Sequence, residues 1–264
     1  LKNSFITVLL LATVILSSCF SEEKRINPSF NLTITTLKEI LSDQDERIQE
    51  RILENPERFL QLADVLLSKP EELFYLADKN HAVTKEQAPS EVVKPSDYGI
   101  SVTRQEREIS SLVIEPLQTM TAAAAEEDLD IVFASGYRPY EYQEMLYNRY
   151  VDQLGQEEAD RVSARPGTSQ HQLGTAIDFG SISDEYALTE EGKWLKEHAG
   201  EYGFSLSYPD GFEEITGYKW ECWHYRYITI EGVEMQVDFF LDLQQYFIEF
   251  WDLHKDSLKE ARRQ

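Results

Sequence analysis

Over residues 36 to 79 apolar side chains recur at helical spacing, and two stretches echo each other. Asn55-Pro56-Glu57-Arg58-Phe59-Leu60-Gln61-Leu62-Ala63-Asp64 is succeeded by Lys69-Pro70-Glu71-Glu72-Leu73-Phe74-Tyr75-Leu76-Ala77-Asp78. Proline in a first turn with acids after it is a helix-start signal, so the echo predicts two successive short helices. Two copies at this spacing do not make a solenoid. The segment reads as a helical lead-in packed on the principal domain, in preference to a separate binding module. Residues 80–97 contain Pro89, Pro95 and many polar side chains, hence a loop. A helix is predicted over 104–127, with Ile109, Leu112, Val113, Leu117 and Met120 at core spacing. Residues 130–135 read as a strand that delivers Gly136-Tyr137-Arg138 into a turn, and 141–154 read as helix again. Residues 175–179 and 225–228 are the other predicted strands. The last stretch, 237–263, is amphipathic, with Phe240, Leu243, Phe247, Phe250 and Trp251 near one helical face, which reads as core contact. Helices and strands interleave irregularly, which predicts an α+β fold and not a doubly wound sheet.

The amino-terminal residues obey a different logic. Lys2 precedes an uninterrupted apolar or small run over residues 5–16. That run is too short to span a bilayer comfortably and suits the hydrophobic region of a signal peptide. It ends in Leu16-Ser17-Ser18-Cys19, which resembles a bacterial lipobox. Residues 1–18 are therefore read as a lipoprotein signal peptide and Cys19 as the lipidated residue. The expectation is an exported lipoprotein held to the extracytoplasmic face of a membrane by its amino-terminal anchor. Residues 19–71 would be tether and helical lead-in, 72–247 the principal domain and 248–264 a helical extension.

Composition narrows the picture further. Among 264 residues, 42% are hydrophobic and 12% aromatic, enough for a buried core and unlike a disordered chain. With 48 acidic against 25 basic residues the net charge is -23, which argues against a nucleic-acid partner. The cysteines are Cys19 and Cys222, and lipidation of the first leaves no intramolecular disulfide framework.

Histidine is scarce, five in all, and two fall in short segments that share one chemistry. The segments are Ser169-Gln170-His171-Gln172-Leu173-Gly174-Thr175-Ala176-Ile177-Asp178 and Glu221-Cys222-Trp223-His224. Catalytic zinc takes three protein ligands from the histidine and carboxylate set and keeps a fourth position for water. His171, Asp178 and His224 would be those ligands, holding one Zn2+ per chain. Glu221 would be the general base. Hydrolysis of an amide builds an oxyanion, which a guanidinium stabilises selectively in the transition state, and Arg138 is the candidate. Cys222 reads as a small buried residue facing away from the metal, not as a thiolate ligand. His81 and His254, with no companion ligands, read as surface residues.

More of the chain matches a single family. Ser135-Gly136-Tyr137-Arg138-Pro139 and Ala164-Arg165-Pro166-Gly167-Thr168 precede the first histidine segment. Trp194-Leu195, Ala199, Tyr202-Gly203-Phe204, Tyr208-Pro209 and Thr216-Gly217-Tyr218 lead to the second. Together with the patterns S-x-H-x-x-G-x-A-x-D and E-x-W-H, this order resembles the VanY-like zinc D-alanyl-D-alanine carboxypeptidases of the hedgehog-type fold group. The similarity covers roughly residues 72–247. It implies a small antiparallel sheet carrying the zinc site, with flanking helices, and peptidoglycan stem peptides as partners. It also implies Arg138 as the transition-state or substrate-binding arginine, and Ser169 and Gln143 as residues lining the substrate cleft. Arg165 is either a clamp for the terminal carboxylate or a loop-surface residue.

One departure concerns Ser207, where the family often carries arginine before the Tyr-Pro pair. Its loss would alter substrate selection without touching the metal, so D,D- against L,D-specificity stays open. The function implied is removal of the terminal D-alanine of stem peptides. The alternatives are an L,D-carboxypeptidase or peptidoglycan endopeptidase on the same scaffold, or a non-catalytic zinc-binding module. Glu221 and Arg138 argue against the last, since a structural zinc site needs neither base nor oxyanion partner.

Overall fold

A computed structural model of the chain describes residues 23–103 and 107–263. The proposed lipobox, Cys19 included, lies outside the described residues. Three helices open the described chain: α1 (Ile34–Ile40), α2 (Glu46–Glu54) and α3 (Pro56–Leu66). Their starts are written locally. Thr33 forms a capping box with Thr36, Asp45 accepts from the amide of Arg47, and Pro56 occupies the first turn of α3. The second proline-acid echo is not an α-helix but a 3-10 turn over Glu71–Phe74. Buried Arg226 explains the difference, because its Nη2 donates to the carbonyls of Leu73 and Tyr75 at 3.0 and 2.8 Å. With both carbonyls turned to the guanidinium, the backbone leaves the turn and runs extended.

Two-residue strands β1 (Val92–Val93) and β2 (Ile109–Ser110) pair antiparallel, and α4 (Ile114–Glu126) comes next. Among the described residues, the helix predicted over 104–127 therefore begins only at Ile114. Ile109 pairs with Val93, and Ser110 caps a 3-10 turn by accepting from the amide of Leu112. Leu112, expected in the core, is exposed as a result, whereas Ile109, Val113, Leu117 and Met120 are buried.

Strand β3 (Phe133–Ser135) leads to α5 (Tyr140–Leu154) and α6 (Gln156–Val162), which are separated at Gly155. Then come β4 (Ala176–Phe179), α7 (Glu190–His198), β5 (Phe204–Leu206), the single turn α8 (Glu213–Thr216) and β6 (His224–Tyr227). The chain ends in α9 (Ile230–Phe239) and α10 (Gln244–Ala261). The carboxyl-terminal stretch is thus two helices, broken where Leu241 and Asp242 both take a positive φ of 57°. The four-stranded sheet is antiparallel in the order β3-β4-β6-β5, and its two central strands place Asp178 directly opposite His224.

The interior falls into two main clusters. One gathers α1 to α3 and the 3-10 turn against α9 and α10, with Phe59 edge-on to Phe239 and Phe250 at 5.4 and 5.7 Å. The lead-in is therefore packed on the rest of the chain. The other cluster lies around the sheet, from Ile109 and Met120 through Phe179 to Tyr225. Tyr227 touches both. The two ends of the described chain also meet: Phe30 bridges to Arg262, the Asn31 amide donates to Ala261 at 2.7 Å, and the Arg263 amide donates to Ser29 at 2.8 Å. Among the described residues no helix is long and apolar enough to cross a membrane.

Candidate active site

Residues 169–178 make a tight delivery device. Ser169 accepts from the amide of His171 and so starts a 3-10 turn, Gln170–Leu173, which Gly174 ends at φ +66° before the chain enters β4. His171 thus stands at the mouth of the sheet and Asp178 near the far end of β4. His224 opens β6 directly opposite Asp178, after a turn in which the His224 amide donates to the Glu221 carbonyl.

Three side chains converge there. Asp178 Oδ2 lies 3.2 Å from His171 Nε2, and Oδ1 lies 3.1 Å from His224 Nδ1. All three residues are buried, and their candidate ligand atoms fall within 4.8 Å of one another. The imidazole of His171 is oriented from behind, because Nδ1 is 2.7 Å from the carbonyl of Gly136. A carbonyl can only accept, so Nδ1 carries the proton and Nε2 presents a bare lone pair. Gly136 itself is required: a Cβ there would stand 2.5 Å from both the Glu108 carbonyl and the Phe133 ring. The tautomer of the first histidine therefore rests on a glycine of the Ser-Gly-Tyr-Arg motif.

Electrostatics favour a cation at this point. Burial, then the positive charge of Arg138, pushes His171 down to about 4, so it is neutral at physiological pH. Burial alone would raise Asp178, but its imidazole neighbours, His171 first and then His224, hold it well below the usual carboxylate range. Asp178 Oδ1 is buried with no hydrogen-bond partner despite its nearness to His224 Nδ1. A carboxylate oxygen facing an imidazole nitrogen at 3.1 Å without a shared proton is repulsive unless a cation lies between them. Two imidazoles and a carboxylate form the N/O donor set of a catalytic zinc site. The residues fit a metal.

Glu221 stands beside this group, its Oε2 3.5 Å from His224 Nδ1. Burial, reinforced by the charge of Asp178, lifts its carboxyl to about 7, which suits a group that must first take and then give a proton. On the other flank, Arg138 Nη2 is 3.7 Å from Asp178 Oδ2. Its guanidinium is held by Gln143 Oε1 at 2.9 Å and Ser135 Oγ at 3.2 Å. These groups open on a cleft of about 580 Å³, also lined by Ser169, Tyr208 and Trp223. One wall is a face of α5: Tyr142, Leu146, Arg149 and Tyr150 line it, at helical spacing.

The other expected residues are not all found at the cleft. Gln143 does not line it. It is fully buried behind Arg138, its amide donating to the carbonyl of Ala164 at 2.6 Å, so it holds the arginine instead of substrate. Ser169 does reach the cleft. Arg165 is engaged elsewhere, in a two-pronged pair with Asp160 at 2.8 and 2.9 Å. Cys222 is buried with Sγ near the carbonyls of Ser183 and Asp184, apart from the ligand group. His81 is half exposed but accompanied, its Nδ1 2.8 Å from Asp78. His254, expected at the surface, is largely covered and pairs with Asp43 at 3.1 Å. Ser207 is buried and lies behind His224, not in the cleft.

Comparison with known proteins agrees with this geometry. The family described as VanY, D-alanyl-D-alanine carboxypeptidase, matches residues 106–230. YodJ of Bacillus subtilis (strain 168), whose name assigns it provisionally to the carboxypeptidases, is 34% identical over 188 residues, which cover 69% of each chain. The structure of the LD-carboxypeptidase LdcB is similar with a TM-score of 0.59 at 30% identity, covering 67% of this chain and 84% of that one. A variant of the D,D-pentapeptidase VanY from a VanB-type resistance cassette, solved with Zn(II), has a TM-score of 0.56 at 27% identity. That match covers 68% of this chain and 99% of that one.

Proposed function

The chain belongs to the VanY family of D-alanyl-D-alanine carboxypeptidases, and from that premise we propose how it acts. It is a zinc-dependent carboxypeptidase that hydrolyses the terminal D-alanine of peptidoglycan stem peptides. The observation that carries this reading is the convergence of His171, Asp178 and His224, with Glu221 on one flank and Arg138 on the other. Zinc held by those three side chains supplies a Lewis acid for the scissile carbonyl and a route to nucleophilic water at neutral pH. Glu221 accepts the proton of the attacking water on its carboxylate and passes it to the departing amine of D-alanine. One carboxylate thereby serves as base and then as acid within one turnover. Arg138 places its guanidinium where negative charge grows on the carbonyl oxygen. Gln143 and Ser135 hold that guanidinium in advance, so little reorganisation is needed as the charge develops. Ser169, at the cleft, is placed to bond the peptide.

An L,D-carboxypeptidase is the second reading, favoured by the likeness to LdcB. Incubating the purified protein with pentapeptide and tetrapeptide stems and weighing the products separates the two. Loss of one alanine from the pentapeptide is expected. Cleavage of the tetrapeptide alone makes it an L,D-enzyme, and no cleavage of either by zinc-loaded protein makes it a binding module.

The cell envelope is the place of action in this reading, with the chain tethered through lipidated Cys19. The support is the apolar run over residues 5–16 ending in Leu16-Ser17-Ser18-Cys19. Cys19→Ser is expected to move the protein from the membrane fraction to the soluble one; retention in the membrane rejects the anchor.

A further inference from the structure

His171 takes its orientation from a backbone carbonyl, whereas His224 takes it from a side chain. Its Nε2 lies 3.2 Å from Gln170 Oε1, which also accepts from Ser207 Oγ at 2.8 Å. Behind them stands Gln244, the first residue of α10, outside the stretch matched by the family. Gln244 Oε1 is 3.4 Å from Gln170 Nε2 and 3.2 Å from Ser207 Oγ, and Gln244 Nε2 donates to the carbonyl of Ser205 at 3.1 Å. Gln170, Ser205, Ser207, His224 and Gln244 are all buried.

The direction of this chain is determined at one end. The carbonyl of Ser205 can only accept, so Gln244 turns its NH2 toward it and its oxygen inward. That inward oxygen takes a proton from Gln170 Nε2, which leaves Gln170 Oε1 to face His224. An amide oxygen facing Nε2 requires Nε2 to carry the hydrogen. Nδ1 is then the bare nitrogen, on the side of Asp178 and Glu221. Reversing Gln244 would set NH2 against the NH2 of Gln170 and, through it, turn the wrong end of Gln170 to His224.

We infer that Gln244 of α10 is a positioning residue for the metal centre: through Gln170, and with Ser207, it sets which nitrogen of His224 faces the metal. The carboxyl-terminal helix is thereby part of the site, and this rests on the zinc reading proposed above. Partners that orient a ligating histidine are worth roughly tenfold to a hundredfold in metal affinity. Carboxylate at position 170 would behave differently, because both its oxygens accept and no orientation has to be relayed.

The test uses the whole chain, purified in mild detergent, with zinc affinity measured by chelator competition. The visible spectrum of the Co2+-loaded protein and the melting midpoint of the metal-free protein are recorded alongside. Gln244→Met keeps size and removes all three hydrogen bonds of the Gln244 amide, and about a tenfold weaker zinc affinity with an altered cobalt spectrum is expected. The double variant Gln244→Met/Gln170→Glu is expected to regain most of that affinity, which repair of packing alone would not produce. Ser207→Ala, a smaller change, is the substitute where Gln244→Met fails to fold, and is expected to weaken zinc binding in the same direction. Unchanged affinity and spectrum in Gln244→Met, or no recovery in the double variant, overturns the inference while the zinc reading stands. Wild-type protein that binds no zinc overturns both.

Discussion

The helical half of the molecule and the sheet half meet at Tyr227 but are held together by different physics. In the helical half, the rings of Phe59, Phe74, Phe239, Phe240, Phe247, Phe250 and Trp251 pack against one another, and charged pairs such as Arg58 with Glu234 sit at its surface. Such a core is defined by volume and tolerates exchange among apolar residues of similar size. In the sheet half, a line of polar side chains is buried beside the apolar cluster: Gln143, Gln170, His171, Asp178, Ser207 and His224. Volume does not define these positions. Each depends on which end of a hydrogen bond it presents, and burial makes an error expensive. Sites of chemistry gather where identity is enforced this way, and the apolar half supplies the rigidity they rest on.

The comparison can be broken most sharply at Glu221. Glu221→Gln preserves shape, so zinc should stay bound while turnover of pentapeptide falls about a hundred- to ten-thousandfold. Near wild-type turnover would mean that another group moves the proton. Next in size, Phe59→Ala should cost about 3–5 kcal/mol in denaturant unfolding, because it opens a cavity beside the rings of Phe239 and Phe250. A loss below about 1 kcal/mol would show that the rings are not what holds that half.

A third test compares buried charge with buried ring. In the metal-free protein the carboxyl of Glu221 is lifted from its ordinary 4.5 to about 7. A raised value contributes stability below 4.5 that is lost as pH climbs through 7. Relative to Glu221→Gln, the metal-free wild type should therefore lose roughly 3 kcal/mol between about pH 4 and about pH 8. Parallel stability curves for the two proteins would contradict the burial argument. The smallest effect is expected at Arg165, whose pair with Asp160 is solvent-exposed. Arg165→Ala should leave both melting midpoint and turnover unchanged, and a raised KM would instead restore it as a clamp.

The metal ligands and Glu221 could be read along the chain because histidine is rare here and the motifs bring carboxylates to fixed distances from it. The sheet was legible where strands are hydrophobic and bounded by turns, as at residues 176–179. It was not legible at Phe204–Leu206, a three-residue strand recognisable only by its pairing with β6. Ile109 has the spacing of a helical core residue, yet cross-strand pairing with Val93 overrides that preference. The 3-10 turn at Glu71–Phe74 depends on Arg226, 151 residues beyond Tyr75. Gln143, Gln170, Ser207 and Gln244 are the hardest case. Glutamine and serine are commonplace surface residues, and their roles arise from direction and burial that no local pattern encodes.

The pairing of Ser29, Phe30 and Asn31 with residues 261–263 has a mechanical consequence. In the tethered form proposed above, drag on the amino terminus would be passed to this bridge. Its antiparallel backbone bonds and the apolar core that buries Phe30 would take the load first and pass it into α10 and the helical half. The 3-10 turn carrying His171 and the strands carrying Asp178 and His224 lie in the other half. In that tethered form, tension would thus be spread through packed side chains before it could disturb the 3.1 and 3.2 Å spacings at the metal centre.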